Sequence, residues 1–110
     1  MSEEQIQKAE SAVKSATNIS DDKKTELLGL LSKLKSALGN ASQTHHEDVQ
    51  SIAHLTEASA QAATRAHKKP ELLRAALDRL KQSVEKFEAS HPDLVIAANE
   101  FATALGDMGI

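Results

Sequence analysis

Cysteine, tryptophan and tyrosine are absent from this 110-residue sequence, and phenylalanine occurs only twice. Without cysteine there is no disulfide, no thiolate metal site and no cysteine nucleophile. The same absence suits a reducing cytoplasm. With so few aromatic rings, there is no platform on which single-stranded nucleic acid could stack. A surplus of positive charge is also missing. Thirteen Lys and Arg face sixteen Asp and Glu, for a formal net charge of −3. A general nucleic-acid binder carries a basic footprint, so that class is set aside. Apolar runs such as Leu94–Ala98 reach only about five residues, against the roughly 20 that a membrane span needs. The start, Met1-Ser2-Glu3-Glu4-Gln5, is polar and acidic, unlike a signal peptide. The expectation is a soluble cytoplasmic chain with no nucleic-acid or membrane partner.

What is abundant is alanine and leucine. Eighteen Ala and thirteen Leu stand against only nine Val and Ile. Strong helix formers dominate, β-branched residues are few, and no stretch alternates strictly enough to read as a strand. The expected class is all-α: a small antiparallel bundle, or helical hairpins, of four to five amphipathic helices in one domain over 1–110.

The spacing predicts a first helix over 3–17, with Ile6, Ala9, Val13 and Ala16 as a narrow stripe. Ser20 is a good N-cap for the second, and Asp21 and Asp22 complement the positive end of its dipole. Leu27, Leu31, Leu34 and Leu38 form the second seam, with Gly39-Asn40 as the expected stop. Residues 40–69 shift to Ala, Ser, Thr, Gln and His, and a weaker third helix is expected over 44–68. Pro70 suits a helix start. From there Leu73, Leu77, Leu80, Val84 and Phe87 keep the most regular seam in the chain, to about Ala89. Ser90 is the expected cap of a last helix, with Asp93 completing a capping-box-like pattern. Leu94, Ala98, Phe101, Ala102 and Leu105 form its stripe.

Phe87-Glu88-Ala89-Ser90-His91-Pro92, followed by Met108-Gly109-Ile110 at the C-terminus, resembles a bacterial family of short helical proteins of unknown function. The plan of that family matches 3–38 and 71–110. It is usually shorter, which makes 40–69 look like a helical insertion. The resemblance implies a helical fold in a bacterial cytoplasm. It supplies no activity, ligand or catalytic residue.

Few side chains suggest chemistry. His45, His46 and Glu47 open the third helix, and His54 lies two turns on. His46 and His54 fall about 80° apart on the wheel, so these four residues are the candidates for a metal- or pH-responsive site. Their spacing fits neither His-x3-His nor a zincin motif, and a solvated helix start is the simpler reading. His91 beside Ser90 suggests a general base, yet no third member or oxyanion device accompanies them. Arg65-Ala66-His67-Lys68-Lys69 is a short basic run of the kind that ends a helix.

The seams carry the functional expectation. This is a non-enzymatic protein that acts through helix-mediated contacts, with another protein or a second copy as partner. No cofactor or small-molecule substrate is identified. Leu27, Leu31, Leu34, Leu38, Leu73, Leu77, Leu80, Val84, Phe87, Leu94, Phe101 and Leu105 are the expected core. The interface candidates are Leu30, Val95 and Ile96. Leu30 sits at the edge of its stripe, and Ile96 points about 160–200° away from Leu94, Ala98 and Leu105.

Overall fold

The computed structural model describes residues 2–65 and 69–109. Five helices follow in order: α1 (Ser2–Ser15), α2 (Asp21–Ala41), α3 (His46–Thr64), α4 (Pro70–Glu85) and α5 (Pro92–Gly109). No strand occurs among the described residues. The all-α class and the bundle are as the sequence predicts. Ala66, His67 and Lys68 of the basic run and Ile110 of the terminal motif lie outside the described residues.

Each helix turns back on the one before it. The end of α3 and the start of α4 share a groove, and the start of α2 lies beside the end of α5. Around the bundle the neighbours run α1–α3–α4–α5–α2 and back to α1. All twelve expected core side chains are buried in the common interior.

Local signals explain most boundaries. The Ser20 side chain accepts a 3.2 Å hydrogen bond from the Lys23 N–H, satisfying a free donor of the first turn. Lys24 Nζ donates to the Lys14 carbonyl at 3.1 Å, tying the end of α1 to the start of α2. The Gly39-Asn40 stop is not used. No described residue has positive φ, so the left-handed cap that favours Gly is absent. The helix runs through to Ala41 and ends where Ser42, still right-handed, donates its N–H to the Leu38 carbonyl at 2.9 Å.

Ser90 is not the cap of α5. Its side chain is exposed. Pro92 is the first helical residue, so the cap position falls on His91. The His91 carbonyl accepts from Leu94 at 3.1 Å and Val95 at 3.4 Å.

Composition sets 40–69 apart, but its helix is not peripheral. α3 packs along both α1 and α4, and Val49, Ile52, Ala53, Ala60 and Ala63 are buried. Small side chains let the helices approach closely. Its buried hydroxyls bond backward to their own helix: Thr56 to the Ile52 carbonyl at 2.9 Å and Ser59 to the Leu55 carbonyl at 2.7 Å. Among the described residues no buried side-chain polar atom lacks a partner.

Gly29 offers a direct test of α2. It lies mid-helix, is exposed, and a methyl group there would meet nothing within 4 Å. Gly29→Ala should therefore stabilise the chain by about 0.5–1 kcal/mol through lower backbone entropy in the unfolded state. A urea midpoint that stays put or falls would show a steric constraint at that position.

Candidate functional site

Three features merit comparison: a histidine-bearing end, a cleft beside it, and a groove along α2 and α5. The end arises because the turns after α2 and after α4 lie together there. Each places a His immediately before a helix. The His45 carbonyl accepts from Val49 at 3.0 Å, just as His91 serves α5. Both rings then meet Phe87, the last residue of the α4 seam. Ring centroids are 5.2 Å apart for His45–Phe87 and 5.9 Å for Phe87–His91, with planes at 77° and 60°. The two imidazoles are themselves 5.9 Å apart and nearly perpendicular. Edge-to-face rings at these distances favour one another and hold the two turns together. Beside them, Lys86 and Asp48 form an exposed 2.8 Å ion pair between α4 and α3. Such a pair contributes about 0.2–1 kcal/mol.

The four candidates for a metal- or pH-responsive site do not come together. His45 turns to Phe87, His46 is exposed on another side, Glu47 is exposed, and His54 is exposed two turns along α3. Among the described residues no three His, Asp or Glu side chains converge as a metal site. Micromolar zinc should accordingly leave the melting temperature unchanged. A folded-state site would stabilise by about 2.7 kcal/mol at a hundredfold excess over its Kd. A zinc-dependent rise abolished by His46→Ala and His54→Ala would reverse this conclusion. His91 packs on Phe87, and no Ser90–His91 hydrogen bond forms among the described residues. The Ser-His-Pro sequence forms the corner between α4 and α5.

The cleft, of about 320 Å³, lies next to His46. Ile6 and Leu38 floor it, and Glu3, Lys35 and Ser42 share its rim. Those groups mix charge signs, and the Ser42 hydroxyl donates to the Gly39 carbonyl at 3.0 Å.

The groove between α2 and α5 is different in character. Ala37, Ala97 and Ala104 give it a shallow floor, with Leu30 and Ile96 along its length. Glu26, Asp93, Glu100 and Asp107 line it as carboxylates, against Lys33 as the one ammonium among the described lining residues. Ile96 is 59% exposed, and the other large exposed hydrophobic among the described residues is Leu72, at 49% on α4. Two of the interface candidates, Leu30 and Ile96, therefore share one face. Val95 does not join them. It sits about 100° round the helix from Ile96, on the flank away from Ala97, and packs half-buried against the core. No sequence feature marked Leu72. Its exposure comes from the path of α4 past the short side chains of α3.

These features define an all-α bundle with an exposed groove along α2 and α5. The chain belongs to the family described as Domain of unknown function (DUF4404), matched over residues 27–110. The matched stretch includes the Phe87–Pro92 corner and the lining of the α2–α5 groove except Glu26. No curated protein and no solved structure matches the chain. No helix among the described residues is long and apolar enough to cross a membrane.

Proposed function

We propose that this protein acts by non-enzymatic contact between helices, that the α2–α5 groove is its contact face, and that a second copy of the chain is a partner. The observation that carries this reading is the exposed Ile96 in a depression between α2 and α5 that adjoins, through Glu100, a second one holding the half-buried Leu30. The interior is already closed by Leu27, Leu31 and Leu34 from α2 and Leu94, Phe101 and Leu105 from α5. The fold has no need of Ile96, which lies on the outer side of α5. Ile96 is 59% exposed, so covering the rest of it would contribute about 1–2 kcal/mol per contact. The absence of cysteine suits the cytoplasmic setting proposed with it.

Light scattering over a concentration series tests the reading. The wild-type mass should rise with concentration. Ile96→Lys should lower it while leaving helical content intact, since Lys is a good helix former and the position is exposed. A wild type that stays monomeric at high concentration, or an Ile96→Lys variant of unchanged mass, would defeat it.

A further inference from the structure

Self-contact through the α2–α5 groove meets an electrostatic obstacle if the groove pairs with itself. Glu26, Asp93, Glu100 and Asp107 would then face their own copies, with only Lys33 to offset them. Like charges brought together oppose association. The complementary surface is found elsewhere on the same molecule. The groove between α3 and α4 is floored by Ala58, Ala62 and Ala76, with Leu72 on its wall. Arg65 lines it, and no carboxylate does among the described lining residues. Lys69 and Arg79, both exposed, fall three residues before and seven after Leu72, which puts them on Leu72's side of α4. Glu71 and Asp78 lie about 100° or more round the helix from Leu72.

The two grooves occupy different sides of the bundle, separated by the α4–α5 seam. Each holds one of the two large hydrophobic side chains that are exposed among the described residues: Ile96 in the acidic groove and Leu72 in the basic one. Small side chains floor both, which leaves room for an incoming helix.

We infer that the chain associates head to tail: the acidic α2–α5 groove of one copy seats on the basic α3–α4 groove of the next. This rests on the reading of the α2–α5 groove as a contact face and adds the identity of the opposing surface. Such a contact uses different patches on the two molecules. It grows into a ring or an open chain and does not stop at a symmetric pair. It also weakens with salt, because the charges on both rims are exposed and screened within about 10 Å at 0.1 M.

Complementation between two variants tests it. Ile96→Lys puts a cation into the acidic groove, opposite the partner's cations. Leu72→Glu puts a carboxylate into the basic groove, opposite the partner's carboxylates. Both sites are exposed, so circular dichroism should show both variants folded. At low salt the wild-type mass should pass that of two chains as concentration rises, and should fall when salt is added. Each variant alone should remain a single chain. Their equimolar mixture should associate to at least two chains, since one intact groove of each kind remains. If the wild type stops at two chains and Leu72→Glu leaves its mass unchanged, the head-to-tail contact is wrong while the α2–α5 face stands. If the wild type is monomeric throughout, both are wrong. If the mixture fails to associate although the wild type does, the two grooves are not partners.

Discussion

A chain lacking residues 42–67 should show no cooperative unfolding transition. The deletion removes Val49, Ile52, Ala53, Ala60 and Ala63 from the interior and uncovers the faces of α1 and α4 that pack on them. Burial of a Val or Ile alone is worth about 1.5–3 kcal/mol, and the methyl groups of three alanines add to it. Against a net stability of about 5–15 kcal/mol for a domain, the loss is of the order of the whole. Connectivity makes matters worse. α2 ends and α4 begins at opposite ends of the bundle, separated by the length of the 19-residue α3, about 28 Å. Urea denaturation followed by circular dichroism should give a broad, shallow change where the full chain gives a sigmoid. A sharp transition in the deletion variant would mean that the other four helices close a core by themselves, and that α3 is an addition to a smaller fold.

That expectation runs against the composition of the segment, and the contrast shows what could be read in advance. The α2, α4 and α5 seams were legible because each is built of Leu, Val and Phe at spacings of three and four, and all those side chains are buried. The Ser20 cap was legible because its side chain has one local task. α3 was harder to rank. Ala, Ser and Thr look weak as a core stripe, yet small side chains allow the close approach that buries them. Their hydroxyls avoid a penalty by bonding to their own helix. Pro92 fixes the start of α5 one residue later than the serine pattern predicts, so the cap position passes from Ser90 to His91. The meeting of His45, Phe87 and His91 joins residues more than 40 positions apart. Only the up-and-down path brings their two turns to one end, and no local spacing encodes that. Likewise Ile96 was visible on a helical wheel, whereas Leu72 needed the actual packing of α4 against α3.

Phe101→Ala should cost about 3–5 kcal/mol, a large share of the roughly 5–15 kcal/mol that holds a domain folded. Phe101 is wholly buried on the inner stripe of α5, with Leu94, Ala98 and Leu105 on the same side. Truncation removes the ring's contacts and leaves a cavity that rigid helices on either side can only partly close. The matching control lies five residues away on the same helix. Ile96→Ala, at a 59% exposed position, should change the stability of the single chain by no more than about 0.5 kcal/mol. Both variants should be measured by urea denaturation at high dilution, where association does not contribute to the midpoint. The paired result tests the sidedness of α5, on which both the core and the α2–α5 contact face depend. Equal losses at the two positions would mean that Ile96 is buried within the chain. A loss below about 1 kcal/mol at Phe101 would mean that α5 does not pack by this face at all.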